Sequence, residues 1–283
     1  MPARLLHLSD LHFGAHDDRA IVNGTETLID RFEPDLVIAS GDLTHRGRRD
    51  QHERAGTFLH GLGRPLLTIP GNHDVPYTLP ARFTQPWVEF ERIWKTTEQT
   101  WTSPEVHAIG LNSVRPWRQQ SGRLREQQLA RARERLEAAP AGALRVVVLH
   151  HHLIGAPWRS RKKPVARRNH VLASLVDAGA DLILAGHIHQ AAVSERREFE
   201  ISRGSERGVV VSIAPGLGQP RPQRQGEARG LHVYYVTGET LRIETYTWRE
   251  KEWGLTAMRL FPRGLETLAT EPISAGGLGS PAR

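Results

Sequence analysis

The sequence predicts an α/β fold in which mixed β-sheets pack together and helices cover them on the outside. In the first two thirds of the 283 residues, β-branched-rich apolar runs alternate with stretches whose apolar residues recur at helical spacing. In the last third the helical spacing largely disappears, and apolar runs follow one another with turns between them. These two patterns together favour sheets with flanking helices.

Short apolar runs in the alternating part are predicted as strands. The first run, ARLLHLS, lies almost at the N-terminus, and DLVIAS and DLILA have the uninterrupted apolar character typical of buried strands. The predicted strands span residues 3–9, 35–40, 65–69, 106–113, 143–149 and 181–185.

Helices are predicted between these strands, because apolar residues there recur every three or four positions. The clearest example is REQQLARARERLEAA, which is strongly amphipathic. The predicted helices span residues 19–32, 50–62, 125–139 and 169–179, and segment 80–101 is predicted as irregular to helical.

The C-terminal third is predicted as consecutive antiparallel strands over residues 191–201, 208–214, 230–236 and 240–248. No internal repeat and no linker divides the chain, so residues 1–263 are predicted to form one domain. Residues 264–283 are small and polar, and we expect this tail to be partly disordered.

Composition limits the chemistry that the chain can perform. There is no cysteine, so any metal site must use His, Asp, Glu or Asn. The formal charge of +7 comes mostly from arginine, and it indicates either an anionic partner or a GC-rich coding sequence. No apolar run reaches the length of about 18 residues typical of a transmembrane helix. The N-terminus lacks a signal-peptide pattern, so a cytoplasmic location is expected.

Metal-capable side chains follow five of the predicted strands directly. Each motif alone is more typical of a turn or a surface histidine, but five in succession indicate a site. In open α/β sheets such sites form at the carboxyl ends of strands. Residues two apart in an extended segment point to the same side, so both members of each pair can reach one point. The motifs are Ser9-Asp10-Leu11-His12, Gly41-Asp42, Gly71-Asn72-His73-Asp74, His150-His151-His152 and Gly186-His187-Ile188-His189.

Oxygen and imidazole ligands without thiolates suit zinc, manganese and iron, and these motifs hold enough ligands for two ions. Two ions about 3.5–4 Å apart can stabilise an in-line displacement at phosphorus. A non-enzymatic scaffold would have no use for so many converging ligands. The residues therefore favour a hydrolase of phosphate esters.

The ordered set DLH … GD … GNHD … H … GHIH, from Asp10 to His189, resembles the calcineurin-like metallophosphoesterase superfamily. The resemblance implies a four-layer α-β-β-α sandwich of two mixed sheets, with a dinuclear metal site at the strand ends. It implies manganese or iron rather than zinc, although zinc is not excluded. It also leaves homodimer formation open.

The resemblance also implies a role for each motif residue. The first ion would be bound by Asp10, His12 and His189, the second by Asn72, His150 and His187, and both by Asp42. His73 would lie over the phosphate, and Asp74 would orient it through a hydrogen bond. Among the three consecutive histidines we select His150 because it directly ends a strand, although the register could differ by one.

The stretch from GLNSV to VVVLHHH resembles small bacterial phosphodiesterases of the cyclic-nucleotide type. That resemblance implies a metal-dependent phosphoric diester hydrolase acting on small anionic nucleotide-type phosphodiesters, including 3′,5′-cyclic nucleotides, by attack of a metal-bridging hydroxide. The alternative is a hydrolase of larger anions, either a nucleotide-lipid pyrophosphatase or a DNA nuclease. Nucleic acid is not favoured, because no additional nucleic-acid domain is evident.

A basic segment, residues 156–170, follows the histidine cluster. It is either an electrostatic funnel for an anionic substrate or a solvated loop, and the sequence leaves both open. The candidate substrate-binding residues near the motifs are His45, Arg115, Arg159 and Arg161.

Overall fold

The computed structural model describes residues 2–15, 19–118, 120–158, 160–195 and 208–263. Arg159, most of the predicted strand 191–201 and the predicted tail 264–283 lie outside these ranges. In the part of the chain that the structure describes, no helix combines the length and the apolar character needed to cross a bilayer.

Helices and strands alternate along the first two thirds of the chain, and strands follow one another in the last third. In chain order the elements are β1 (Ala3–Leu8), α1 (Arg19–Phe32), β2 (Leu36–Ala39), α2 (Arg49–Gly61), β3 (Leu66–Thr68), α3 (Ala81–Thr84), α4 (Val88–Trp94), β4 (Thr100–Thr102), β5 (Val106–Gly110), α5 (Glu126–Glu137), β6 (Leu144–Val148), α6 (Arg168–Asp177), β7 (Leu182–Ala185), β8 (Ala192–Glu195), β9 (Val210–Ile213), β10 (Gly230–Val236), β11 (Thr240–Arg249) and β12 (Glu252–Pro262).

The strands form two mixed sheets of six strands each. The first has the order β12-β11-β10-β1-β2-β3, in which β1, β2 and β3 are parallel and the other pairings are antiparallel. The second has the order β4-β5-β6-β7-β9-β8, with a parallel centre and antiparallel edge strands. Both sheets are therefore mixed, as predicted.

Three apolar layers hold the sheets and helices together. Leu5 and Ile38 of the first sheet pack between the sheets with side chains of β6 and β7. The next residue of β1, Leu6, faces the opposite way and packs under α1, α2 and α4, because successive side chains of a strand alternate between its faces. A third cluster packs α5 and α6 against the outer face of the second sheet. The predicted four-layer α-β-β-α sandwich is confirmed.

The structure differs from the sequence prediction mainly in the strands. β4 has only three residues and β12 lies exposed at a sheet edge, so neither gave a clear buried pattern. The prediction of consecutive antiparallel strands in the C-terminal third is confirmed for β8 with β9 and for β10 with β11, but it was wrong for the step from β9 to β10. Strand β9 pairs in parallel with β7, and β10 belongs to the other sheet. Local residue patterns do not encode that change of sheet.

Candidate metal centre

The loops that follow β1 and β2 run side by side at one end of the sandwich. The Asp10 amide donates to the Gly41 carbonyl over 2.9 Å, and the His12 amide donates to the Asp42 carbonyl over 2.9 Å. These hydrogen bonds continue the parallel pairing of the two strands beyond their ends. The motif residues of both loops therefore lie next to each other.

A hydrogen bond between the two sheets joins the remaining motifs to these loops. His150, at the end of β6, donates from Nδ1 to the Ser40 carbonyl over 2.8 Å. The Gly186 amide, at the end of β7, donates in turn to the His150 carbonyl over 3.0 Å. The carboxyl ends of strands from both sheets thus meet at one place, as predicted for this fold class.

Two motif glycines allow the loops to approach closely. A Cβ atom on Gly71 would collide with the backbone nitrogen and the carboxylate of Asp42. A Cβ atom on Gly186 would collide with the Ser9 hydroxyl. Only glycine fits at these positions, so each motif glycine keeps two loops in contact.

The backbone at five motif residues adopts the left-handed conformation. This conformation costs a residue other than glycine about 1–2 kcal/mol, so its repetition indicates a site whose surroundings enforce it. The prediction that the D-x-H and H-x-H pairs are extended was wrong. The side chains converge because the chain turns at each of them. The φ angles are 54° at Asp10, 51° at His12, 51° at Asp42, 72° at His187 and 58° at His189.

The first group of donor atoms comes from β1 and β7. Asp10 Oδ1 lies 3.0 Å from His189 Nε2 and 3.8 Å from His12 Nε2. The two imidazole nitrogens lie 3.2 Å apart and face the same carboxylate oxygen. All three side chains are buried, and their donor atoms lie within the spacing of ligands around one ion.

The second group of donor atoms surrounds His150. Its Nε2 atom lies 3.2 Å from Asn72 Oδ1, 3.2 Å from His187 Nδ1 and 3.3 Å from Asp42 Oδ1. All four side chains are buried. Since Nδ1 of His150 donates to a carbonyl, Nε2 is the nitrogen directed at this cluster.

Asp42 lies between the two groups. Its Oδ1 faces His150, while its Oδ2 lies 3.8 Å from His12 Nε2 in the first group. The His73 amide donates to Asp42 Oδ1 over 2.8 Å and holds the carboxylate in this orientation. One carboxylate thus reaches both donor groups.

The charge states of these side chains suit divalent cations. Burial lowers the pKa of His12, His187 and His189, so their imidazoles are neutral and can ligate. Burial alone would raise the pKa of Asp42, but the charges of His150 and His73 bring it well below its usual range. Among the described residues, neither Asp10 Oδ1 nor Asp42 Oδ2 accepts a hydrogen bond, although both atoms are buried. Buried carboxylate oxygens without partners beside neutral imidazoles fit divalent metal ions.

His150 differs from the other imidazoles of the cluster. Burial disfavours its charged form, but the adjacent Asp42 carboxylate outweighs burial and raises the pKa of His150 to about 9. The histidine and Asp42 therefore form a buried ion pair when no cation replaces the proton.

The predicted hydrogen bond from Asp74 to His73 was wrong. The buried Asp74 carboxylate accepts from the Thr44 amide over 2.8 Å, from the Leu43 amide over 3.1 Å and from the Thr44 hydroxyl over 2.9 Å. These backbone donors occupy both of its oxygens. His73 Nδ1 lies instead 2.7 Å from the His45 carbonyl. Asp74 fixes the loop beneath His73 and does not contact the ring.

The structure places only some of the candidate substrate-binding residues near the donor groups. His45 stacks on His73 at a ring distance of 5.8 Å and lies 6.2 Å from the His12 ring, so it belongs to the site. Arg115 lies over Trp117, and no contact among the described residues joins it to the donor groups. Arg161 is exposed to solvent.

The register of the three consecutive histidines follows from their contacts. His151 is buried, its Nδ1 lies 2.9 Å from the Ser113 hydroxyl, and its ring packs against the His187 ring at 4.6 Å. His152 is also buried, and its carbonyl accepts from the Val165 amide. His150 is the member of the three that lies among the candidate ligands.

One cation in the site was not among the candidates from the sequence. Lys162 donates from Nζ to the His187 carbonyl and lies 3.9 Å from Asp10 Oδ1. The basic composition of its segment was evident from the sequence. In a loop, however, no periodicity indicates which of several cations points inward.

Comparisons with known proteins agree with this geometry. The family model described as calcineurin-like phosphoesterase matches residues 3–191. A 3′,5′-cyclic adenosine monophosphate phosphodiesterase from Haemophilus influenzae is 28% identical over 173 residues, which make up 60% of this chain and 60% of that protein. An enzyme of the same name from Pseudomonas aeruginosa is 29% identical over 238 residues, 75% of this chain and 78% of that protein.

Solved structures share the fold at low sequence identity. A dimetal phosphatase from Danio rerio superposes with a TM-score of 0.63 at 13% identity and covers 93% of this chain and 100% of its own. A purple acid phosphatase from yellow lupin seeds superposes with a TM-score of 0.66 at 11% identity, over 92% of this chain and 53% of its own.

We predict that Asp42→Asn abolishes binding at both donor groups, because a neutral amide replaces the carboxylate that they share. The effect on Mn²⁺ affinity should exceed the roughly 10- to 100-fold loss typical of residues that only support a ligand. Metal content after dialysis against Mn²⁺, measured by mass spectrometry, checks this. Asp50→Asn, at an exposed position on α2, is the control. Wild-type metal content in Asp42→Asn would contradict the shared role.

We predict that Mn²⁺ binding releases about one proton per chain at about pH 7.5, because a metal ligand must lose its proton. His150 supplies this proton, since its pKa of about 9 keeps it protonated at that pH, whereas burial lowers the pKa of His12, His187 and His189 and keeps them neutral. Apparent affinity should therefore rise with pH and level off above about pH 9. Titration calorimetry in buffers of different ionisation enthalpy measures the release. An unchanged release at about pH 10 would exclude His150 as its source.

Proposed function

This chain belongs to the calcineurin-like phosphoesterase family, and we propose that it is a metal-dependent phosphodiesterase that hydrolyses nucleotide-type phosphodiesters, including 3′,5′-cyclic nucleotides. The observation that carries this proposal is the pair of buried donor groups that share Asp42. The names of the relatives support the substrate class, because several are called cyclic nucleotide phosphodiesterases.

We assign two divalent ions to this site, with manganese or iron favoured and zinc also compatible with the donor chemistry. Bound there, the ions would activate water and neutralise the charge that develops on the phosphoryl oxygens. The proposed ligands are Asp10, His12 and His189 for one ion, Asn72, His150 and His187 for the other, and Asp42 for both.

The residues around the ligands hold their donor atoms in place. The Ser9 hydroxyl and the His187 amide both donate to Asp10 Oδ2, so Oδ1 remains directed at the first donor group. The Ser40 carbonyl fixes the tautomer of His150 in the same way. Ligands held in this manner need little reorganisation when an ion binds.

His73 is the proposed acid that assists departure of the leaving oxygen. Its ring stands edge-on to His12 at 4.9 Å and is only partly buried, so it borders the donor groups and remains open to substrate. With Nδ1 donating to the His45 carbonyl, its protonated form presents Nε2–H to the site. The His45 carbonyl thereby takes the orienting role that the sequence suggested for Asp74.

A second candidate function is hydrolysis of a phosphodiester or diphosphate that carries an apolar group, such as a nucleotide-lipid. The apolar residues Phe90 and Trp94 do not supply such a surface, because both are buried in the core. Four apolar side chains that follow the GNHD motif along the chain are exposed instead, and one of them, Tyr77, has its hydroxyl 3.4 Å from His73 Nδ1. These exposed side chains are Tyr77, Leu79, Phe83 and Val88.

Two expectations from the sequence remain predictions, a cytoplasmic location and one domain that ends at residue 263, and the oligomeric state, for which the sequence left a homodimer open, is also untested. Fractionation of cells would test the location, and limited proteolysis would test the domain boundary. Light scattering on the purified protein would test the oligomeric state.

We predict that the chelated, Mn²⁺-reloaded protein cleaves bis(p-nitrophenyl) phosphate and cyclic AMP with little activity on p-nitrophenyl phosphate. The screen also includes a UDP-linked lipid and short single-stranded DNA. A strong preference for the lipid would favour the second candidate function, and a preference for DNA would favour a nuclease. Absence of turnover with Mn²⁺, Fe²⁺ or Zn²⁺ would contradict the enzymatic proposal.

We predict that His73→Ala lowers kcat on bis(p-nitrophenyl) phosphate by about 10²- to 10⁴-fold, because a positioned general acid contributes that much. Its Mn²⁺ content should equal that of the wild type, since His73 is not a proposed ligand. His60→Ala, at an exposed position on α2, serves as the matched control. Full activity in His73→Ala would exclude the assigned role.

A further inference from the structure

Lys162 is the cation of the basic segment that turns inward. Its side chain is only 14% exposed, whereas Arg161 and Lys163 on either side of it are exposed to solvent. Arg167, further along the segment, pairs with Glu126 over 3.0 Å on the protein surface. Among the residues of the segment that the structure describes, Lys162 therefore brings positive charge to the candidate metal centre.

Backbone hydrogen bonds on both sides of Lys162 fix the segment, so the fold itself directs the Lys162 side chain inward. The Trp158 amide donates to Gln190 Oε1 over 2.9 Å, and Gln190 directly follows the proposed ligand His189. The Lys163 amide donates to the Gln120 carbonyl over 3.2 Å. These contacts hold the segment against the motif that ends β7.

The Lys162 ammonium group has N–H donors that are not used within the described part of the protein. Within the ranges that the structure describes, Lys162 Nζ makes one hydrogen bond, to the His187 carbonyl, and it lies 3.9 Å from Asp10 Oδ1. An ammonium carries three N–H donors. If Asp10 binds a divalent ion, its negative charge is largely committed to that ion, and the ammonium beside it can pair with a further anion.

We propose that Lys162 binds a non-bridging oxygen of the substrate phosphate at the edge of the metal centre. The inference rests on the proposed function, because it assumes that a phosphate enters between the donor groups and the solvent. Lys162 would thus be a substrate-binding residue. The same contact would retain the phosphomonoester product and inorganic phosphate.

The test measures binding of inorganic phosphate to the Mn²⁺-loaded protein by titration calorimetry. Lys162→Met should weaken phosphate binding about 10- to 100-fold, as expected for loss of a charge-assisted hydrogen bond. Lys163→Met removes the same charge from the exposed neighbouring residue and should leave phosphate affinity unchanged. Lys162→Gln is the second variant, for the case that methionine disturbs folding as judged by circular dichroism.

Measuring bound Mn²⁺ distinguishes a phosphate-binding role of Lys162 from an effect of Lys162 on metal binding. The Lys162 variants should bind Mn²⁺ as the wild type does, and with bis(p-nitrophenyl) phosphate their KM should rise more than their kcat falls. Unchanged phosphate affinity at normal Mn²⁺ content would overturn the proposal, as would an altered Mn²⁺ affinity as the only effect. Since phosphate binding is measured without turnover, wild-type protein that cleaves no diester but still binds phosphate through Lys162 would contradict only the proposed function.

Discussion

The buried carboxylates of Asp10 and Asp42 are the constraint around which the rest of this structure is arranged. Both side chains are fully buried, and an ionised carboxylate in such surroundings is strongly unfavourable unless cations or hydrogen bonds compensate it. Hydrogen bonds from Ser9 and the His187 amide satisfy one oxygen of Asp10, and the His73 amide satisfies one oxygen of Asp42. The other oxygen of each remains directed at imidazoles, so the site favours cations that those imidazoles can share.

The backbone of the sandwich is shaped to maintain this arrangement. Left-handed turns at residues such as Asp42 and His189 would be unfavourable in isolation, and they persist because neighbouring loops fix them. Gly71 and Gly186 allow those loops to touch, and the hydrogen bond from His150 to the Ser40 carbonyl joins the two sheets at the same place. Strain at the strand ends is offset by the packing of two rigid sheets. A centre held in this way is organised before any ion or substrate binds.

The site consists of the buried donor groups and, around them, a rim of less buried side chains. The inner side chains are buried and close together, which suits ions but leaves little room to distinguish substrates. Selectivity therefore belongs to the rim, where His73, His45 and Lys162 present polar groups and Tyr77 presents an exposed aromatic ring. Loops beyond strand ends can vary without disturbing the sheets, so one fold can support different phosphate ester substrates.

The sequence by itself determined most of the strands, the main helices and the motifs that follow the strands, because hydrophobic periodicity and short motifs are local properties of the chain. The four layers were implied by the resemblance that those motifs carry. Only the tertiary structure decided where the C-terminal strands pair, since β9 joins one sheet and β10 the other. It also decided that Asp74 binds backbone amides, that the His45 carbonyl orients His73, and that Lys162 points inward. Each of these contacts joins residues brought together by folding, and the choice among competing partners depends on distances that residue order along the chain does not encode.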